Sequence, residues 1–302
     1  MFFEMLQQFA LGIVSYVFFR YCDDRERLLN DMAVLSVIMT VAMILLPLLA
    51  GRGELFDASY SQYYAYMVFP AFIISMNETI RRKSVFYGLV AAVCLVMTFM
   101  MGARGPVILE LLFVIIRFID EPIHPLGKVI TSVAVAGGGT FIYFNMYTIL
   151  ELLNRLAVSM DFSNRLFKKL VQGTLYDSGR DGIYAAALQM IDRHPLTGVG
   201  IGTDRIALAR LVNSSNPLGT YSHNFLLDLL VQFGIVIGTV IMIGFIILAV
   251  RAFIVSRKTS SGKNIFWVML MIGFAPLLFS SSYITYPLFF AMLAMWQSDF
   301  ET

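Results

Sequence analysis

The 302-residue sequence has few charges, few histidines and few cysteines. Charged residues make up 14% of the chain and apolar residues 58%, whereas a soluble domain usually carries about 25% charged residues. The two cysteines, Cys22 and Cys94, offer no framework for a disulfide or a metal site. The net charge of +2 gives no sign of a nucleic-acid partner. The low content of charged residues excludes an ordinary soluble domain, and the low content of cysteine and histidine excludes a small fold stabilised by disulfides or metal ions.

Long apolar runs take the place of the missing polar residues. The mean hydropathy is +0.76, and runs such as 129–149 and 229–250 have roughly the 20 residues that cross about 30 Å of hydrocarbon as a helix. Lipid cannot satisfy backbone polar groups, so spans of this kind must be helices rather than open strands. We therefore predict an all-α polytopic membrane protein with about nine transmembrane helices and one large helical extracytoplasmic loop.

The predicted organisation is three successive regions. N-terminal transmembrane helices occupy 1–150, a hydrophilic helical loop occupies 151–222, and C-terminal transmembrane helices occupy 223–302. No internal repeat is evident. The predicted membrane segments are 2–19, 32–50, 61–76, 84–101, 105–119, 129–150, 224–250, 265–281 and 284–297.

Basic residues are concentrated in alternate loops, and this indicates the orientation. The loops 20–31, 77–83, 117–128 and 251–264 are rich in Lys and Arg, whereas Arg52 and Arg104 stand alone in two of the others. The rich set is expected in the cytoplasm, which places 151–222, Arg104 and His223 outside. It also places the N-terminus outside, so we expect a missing leading helix or a start other than Met1. A cleavable signal is not expected, because neither a basic leader nor a small-residue cleavage site is present.

Two predicted hairpins are short for a membrane. The segment 84–119 has fewer than the about 40 residues that two crossings need, so Arg104, in its turn, is expected at or just below the headgroups. The pair 265–281 and 284–297 contains Pro276, Pro287 and a run of three serines at 280–282. A kinked or re-entrant hairpin that lines a cavity is expected there.

The hydrophilic loop predicts two helices and an anion-binding position. The first helix is expected at about 152–171. The second follows Asp177 and Ser178 and stops before Pro195. Arg180 stands where this second helix begins, and free N–H groups at a helix N-terminus favour anions such as phosphate. The alternative is an arginine that is simply solvated in a loop.

A segment with spaced glycines follows Pro195. Gly198, Gly200 and Gly202 are not preceded by a strand, which argues against a dinucleotide site. A flexible or tight turn that returns the chain to the membrane is the better interpretation. Arg205 and Arg210 follow on a short helical stretch, where they either extend an anion site or, as the position favours, touch lipid headgroups.

His223 lies where a polar loop enters an apolar run. It can cap the helix or sit at the interface, or it can act as a general base, for which a pKa near 6.5 suits neutral pH. A metal ligand is disfavoured because no second ligand lies at suitable spacing. Asn224, Asp228 and Gln232 recur every four residues, and such a polar stripe normally faces the protein interior or a cavity.

Glu110 is the other predicted intramembrane charge. A carboxylate there is either functional or part of a structural ion pair, for which Arg104 is the candidate partner. Together, arginines and one histidine at the outer surface suit a lipid-borne diphosphate attacked by a sugar hydroxyl. The guanidinium group of arginine can donate two hydrogen bonds to phosphate oxygens, and histidine is a suitable base for removing the proton of a hydroxyl.

Three stretches resemble the bacterial O-antigen ligase and polysaccharide polymerase family. "GARGP" at 102–106 resembles the arginine–glycine turn between two membrane helices of that family. "SGRDGIYAAALQMIDRHPLTGVGIGT" at 178–203 resembles its block of arginine, helix, proline and spaced glycines. "YSHNFLLDLLVQFGIVIG" at 221–238 resembles its histidine–asparagine motif at the start of a span. The resemblance covers about 84–245, and the family usually has about a dozen membrane helices.

The resemblance implies metal-independent glycosyl transfer on the outer face of the bacterial plasma membrane, without a cofactor. The donor would be an oligosaccharide on undecaprenyl diphosphate. His223 would activate the acceptor hydroxyl, and Arg104 and Arg180 would hold the diphosphate leaving group. Arg205, Arg210, Asn224, Asp228 and Glu110 are weaker candidates for the site.

We therefore expect a surface-polysaccharide polymerase that joins lipid-linked repeat units, acting beside membrane lipids and with a chain-length regulator and a flippase as possible pathway partners. A ligase that transfers finished glycan to a lipid core or another final acceptor shares the same donor chemistry. A transporter or flippase is the rival from another class. It would have polar groups near the bilayer midplane, broken helices in corresponding positions and repeat symmetry.

Overall fold

The computed structural model describes residues 2–49, 62–101, 103–121, 180–217 and 219–298. Within these ranges the regular structure is entirely helical, and none of the described residues forms a strand. The α-helices are α1 (Phe2–Arg20), α2 (Arg25–Leu49), α3 (Gln62–Arg82), α4 (Val85–Met100), α5 (Arg104–Asp120), α6 (Arg180–Arg193), α7 (Thr203–Leu211), α8 (Phe225–Ser256), α9 (Ser260–Met269) and α10 (Pro287–Gln297).

Three of the described helices are long and apolar enough to cross a membrane: Arg25–Leu45, Phe225–Ser256 and Ser260–Leu278. Val85–Phe99 and Pro287–Gln297 are apolar but shorter. The all-helical prediction is therefore confirmed for the described residues, whereas the count of nine spans stays a prediction. The segments predicted at 129–150 and 152–171 lie outside the described residues.

Two helices are longer than the apolar pattern predicts, because polar side chains stabilise their ends. The backbone N–H of Arg27 donates to Asp24 Oδ1 at 2.9 Å, so α2 begins at Arg25 instead of 32. At the end of α3, Arg81 donates to Glu78 at 2.7 Å, one turn away. This pairing lets α3 continue to Arg82, past the predicted end at 76.

The chain divides into two compact units. One consists of Met1–Asn30 with Asp177–Thr302, and the other of Asp31–Tyr176. In the first unit α1 packs along α10, where Gly12 leaves room for the Phe290 ring and Tyr16 donates a hydrogen bond to Gln297. Arg25 donates to Ser298 at 2.9 Å beyond the ends of these two helices.

The most consequential feature of the first unit is a break in α8 at Gly234. Its φ of 76° and ψ of 174° lie in a region that is open essentially only to glycine. In a straight helix Phe225 and Phe245 would be about 30 Å apart, but their ring centroids are 5.4 Å apart. The short part of α8 (residues 225–233) therefore folds back beside the long part (residues 235–256). The apolar segment predicted at 224–250 is therefore present, but as two helices joined at Gly234 and not as one continuous helix.

A second break follows α9, as the prolines there predict. The chain passes from α-helix to a π-turn at Leu270–Phe274 and a 3₁₀-turn at Ala275–Leu278. Pro276 has no N–H to donate to the carbonyl of Ile272, four residues earlier. The hydroxyl of Tyr286 donates to that carbonyl instead, at 2.7 Å. The loop 279–286 is thereby held between the end of α9 and the start of α10.

Candidate active site

His223 lies on the loop that precedes α8, in a conformation that few side chains adopt. Its φ is 53°, a left-handed value in which histidine is more common than most non-glycine residues. The next residue, Asn224, caps α8 by accepting hydrogen bonds from the N–H groups of Leu226 and Leu227 at 3.0 and 3.2 Å. The cap and the left-handed residue before it thus fix the backbone at the start of α8.

The serine-containing loop after α9 orients this imidazole. His223 Nδ1 lies 3.1 Å from the backbone oxygen of Ser280, and Tyr221 donates its hydroxyl to the same oxygen at 2.7 Å. Ser280 is itself held by its N–H, which donates to the carbonyl of Pro276 at 2.8 Å. A carbonyl can only accept, so Nδ1 carries the proton. In the neutral ring Nε2 is then an acceptor, as a general base requires.

Two arginines act on this ring, Arg180 from α6 and Arg205 from α7. Burial lowers the pKa of His223 below its ordinary value of 6.5, and the positive charges of Arg180 and Arg205 lower it further, while the hydrogen bond to Ser280 opposes this change. Arg180 is the first residue of α6 and half-buried. The imidazole is therefore neutral at pH 7, beside positive charge.

A buried polar network lies behind the loop. Gln232, on the short part of α8, donates to Asp204 Oδ2 at 2.8 Å and accepts from the hydroxyl of Tyr283. Ser222 donates to Asp228 Oδ1 at 2.6 Å. Asp228 and Gln232 are each 1% exposed, so the polar stripe points into the protein. The network ties α7, α8 and the loop after α9 together.

The glycine-rich segment is a tight connection that packs against the break in α8. The N–H groups of Val199 and Gly200 donate to the carbonyls of Val231 and Gln232 at 2.9 and 3.0 Å. A Cβ at Gly198, whose φ is 62°, would lie 2.5 Å from the backbone of Gln232. The segment therefore places α6 and α7 against the short part of α8.

The solvent exposure of Arg205 and Arg210 differs sharply, although both lie on α7. Arg210 is exposed. Arg205 is 1% exposed, with its guanidinium 4.9 Å from the centre of the Tyr221 ring. The prediction that Arg205 touches lipid headgroups is wrong, because a helix with apolar Leu208 and Ala209 on its inner face carries Arg205 into the interior too.

The candidates in the second unit have other surroundings. Glu110 is fully buried in α5, where its Oε1 accepts from the Thr98 hydroxyl at 2.9 Å. Arg104 is the first residue of α5. Its side chain lies outside what the structure describes, so its contact with a diphosphate and its pairing with Glu110 stay predictions.

Several residues near His223 or in the polar network behind its loop were not predicted from the sequence. Tyr221 and Ser222 stand next to it in the chain, but aromatic and hydroxyl side chains at a loop end are common. Tyr283 and the carbonyl of Ser280 come from nearly 60 residues away. Only the serine run between two prolines signalled that this loop is unusual.

The described residues contain no group of three or more His, Cys, Asp or Glu side chains that is suited to hold a metal ion. The side chains that are gathered here supply one neutral base, two arginines and several hydroxyl groups. Comparison of the chain with protein-family models finds no match, and comparison with curated proteins finds none either.

Proposed function

We propose that this protein is a glycosyltransferase of the bacterial plasma membrane that polymerises surface polysaccharide from undecaprenyl-diphosphate-linked repeat units. The observation that carries the proposal is the His223 imidazole, whose proton on Nδ1 leaves Nε2 as an acceptor, and on which Arg180 and Arg205 act electrostatically. This is the protonation state that a general base needs. The motif resemblance of 178–203 and 221–238 supports the same chemistry.

In the proposed reaction a sugar hydroxyl of the acceptor attacks the anomeric carbon of the donor. The new bond joins that oxygen to the anomeric carbon, and the bond from this carbon to the diphosphate oxygen breaks. His223 Nε2 takes the hydroxyl proton, and the lipid diphosphate leaves with the electron pair. Arg180, with its half-buried side chain at a helix N-terminus, stabilises the negative charge that develops on the leaving group. Arg104 is proposed for the same role on the basis of its motif.

The arrangement of charge in the first unit supports an outward-facing site. The long part of α8 leads away from Gly234 toward Arg251 and Arg257, and α9 begins close to Lys258 and Lys263. Arg20 lies at the corresponding end of α1. Basic residues at one end of a bundle favour the cytoplasm for that end. His223 lies away from this end, with Phe225 beside Phe245 in the middle of the long part.

The recessed position of the site favours a second candidate, a transporter of lipid-linked glycan. Broken helices and polar groups level with the middle of a span are features of transporters, and α8 and α9 are both broken. A flippase would move a fluorescent lipid-linked glycan across liposomes, and His223→Ala would leave that movement intact. A glycosyltransferase would instead lose product formation in this variant.

The first test is a polymerisation assay in nanodiscs with EDTA and a synthetic undecaprenyl-diphosphate-linked repeat unit. Wild type is expected to form a ladder on a gel. His223→Ala and Arg180→Ala are expected to lower the rate by at least about 100-fold, the usual contribution of a base or a charge-stabilising group. His194→Ala and Arg193→Ala are matched controls, because both side chains are exposed on the same unit, and they should retain the ladder.

Other outcomes separate the alternatives. Transfer only after a lipid-core acceptor is added would identify a ligase. Loss of the ladder in EDTA that returns with a divalent cation would contradict metal-independent transfer. No product with any acceptor, together with movement of lipid-linked glycan, would replace the proposal by transport.

A further inference from the structure

Arg205 is too deeply buried to bind a substrate through its own side chain, yet it lies close to the base. It is the third residue of α7 and 1% exposed. A buried guanidinium is costly unless nearby groups compensate for its lost hydration. Asp228 interacts with it electrostatically, and Asp204, its neighbour in the chain, is fixed by Gln232 at 2.8 Å. The surroundings are therefore built to retain a charge at this position.

The ring of Tyr221 contacts both this charge and the imidazole of His223. The guanidinium carbon of Arg205 is 4.9 Å from the centre of the Tyr221 ring, within the range of a cation–π interaction. The imidazole also contacts this ring, at 4.1 Å between centroids and tilted by 43°. The phenol ring therefore connects the guanidinium to the imidazole through two direct contacts.

The phenol and the imidazole also share one acceptor. Both bind the backbone oxygen of Ser280, at 2.7 Å from the Tyr221 hydroxyl and 3.1 Å from His223 Nδ1. One carbonyl with two lone pairs thus aligns both rings. Rotation of the imidazole would break this bond and the ring contact together.

We propose that Arg205 and Tyr221 are positioning residues that hold the His223 imidazole neutral, with Nε2 available as the base, and that Arg205 does not itself contact the donor. This inference rests on the proposed function, since the state of Nε2 matters for catalysis only if His223 is the base. It goes beyond that function by separating Arg205 from Arg180, which contacts the diphosphate.

The charged and titratable groups around the imidazole come from several elements. Arg180 on α6 and Arg205 on α7 both disfavour a positive charge on the ring. Tyr221 lies against it, and burial raises the pKa of this phenol, so the phenol stays neutral. Asp228 on α8 acts on Tyr221, and the loop after α9 contributes the Ser280 carbonyl. Removal of Arg205 therefore leaves Arg180 as the one nearby cation among these groups.

The test combines ¹⁵N NMR of histidine side chains with steady-state kinetics, on the full chain in nanodiscs. The sequence has three histidines, so the His223 signals are identified by their absence from His223→Ala. In Arg205→Met we expect a higher pKa for His223, a mixture of Nδ1–H and Nε2–H tautomers, and about a tenfold lower kcat with an unchanged KM for the donor. Arg205→Lys keeps the charge and should restore the low pKa. Arg193→Met is the exposed control.

The opposite results are equally clear. An unchanged pKa and tautomer in Arg205→Met, or a raised KM with an unchanged kcat, would show that Arg205 binds substrate or only supports the fold. If Arg205→Met does not fold, Tyr221→Leu carries the same test, because it removes the ring that contacts both Arg205 and His223. The NMR readout needs no activity, so an inactive wild type would overturn the proposed function while the signals of the variants still decide this inference.

Discussion

The two parts of α8 follow one another in the chain but belong to different surroundings. In the short part, Phe225, Asp228 and Gln232 are buried, although two of these three are polar. In the long part, the aliphatic side chains are largely exposed: Ile235, Val236, Ile237, Val240, Ile241, Ile243, Ile246, Ile247, Val250 and Ile254. The short part is a piece of protein interior, whereas the long part presents the apolar surface expected toward lipid.

The difference shows that high hydropathy alone does not identify the membrane span. The long part by itself is about 33 Å long at 1.5 Å per residue, close to the thickness of the hydrocarbon core. The short part is not needed to cross. It supports the loop of His223 and the polar network behind it. Gly234 therefore divides the part of α8 that supports the site from the part that is long enough to cross the membrane.

The largest effect is expected from Gly234→Ala. A Cβ there would lie 2.5 Å from the backbone of Leu196, and the φ of 76° is unsuited to alanine. We expect destabilisation of at least about 3 kcal/mol and little folded protein, measured by thermal unfolding and size-exclusion chromatography.

Gly244→Ala is the matched control for this break. Gly244 lies in the long part, and a Cβ there would meet no atom within 4 Å. Because alanine is the better helix former by about 1 kcal/mol, this variant should be at least as stable as wild type. Equal stability of both variants would contradict a break at Gly234.

A smaller loss of stability should distinguish the buried side chains of the short part from the exposed side chains of the long part. Leu229, in the short part, is 3% exposed, whereas Ile243, in the long part, is 50% exposed. Leu229→Ala should cost about 2–4 kcal/mol because it leaves a cavity, and Ile243→Ala should cost less than about 1 kcal/mol. Thermal unfolding in nanodiscs measures both. A larger loss for Ile243→Ala would mean that the long part is covered by protein.

The mildest effect should appear in the pH profile of activity. This profile depends on His223, which directly precedes the short part, and not on the long part. Protonation of Nε2 removes the base, so kcat/KM should fall as the pH falls through the pKa of His223, which lies below 6.5 because of burial and of Arg180 and Arg205. Activity should therefore persist at pH 6.5 and decline in more acidic buffer. Ile243→Ala should leave this profile unchanged. A decline that begins above pH 7 would contradict a buried, neutral imidazole.

Several features could be predicted from local patterns. The helix Arg180–Arg193 ends before Pro195 as predicted, and the short helix with Arg205 is present as Thr203–Leu211. The irregular hairpin around Pro276 was also predicted, since a proline removes a backbone donor wherever it stands in a helix. These features depend on neighbours in the chain, so the pattern was sufficient.

Other features depended on contacts between distant segments. Gly234 stands in an apolar run that resembles a single span, and its break is stabilised by Pro195, which accepts from the N–H of Ile235 at 2.7 Å. Arginine is a residue type that commonly contacts lipid headgroups, but the packing of α7 places Arg205 in the interior. Neither result follows from spacing, because each requires the position of a second segment.

The sequence by itself determined that the described chain is helical, that membrane-spanning lengths are present and that His223 stands at the start of an apolar helix, since these follow from composition and local periodicity. Tertiary structure alone decided which nitrogen of His223 is available and which arginine is buried. The hydrogen bond from Nδ1 to Ser280 and the contact of Arg205 with the Tyr221 ring join residues from separate parts of the chain. Only folding brings these residues into contact.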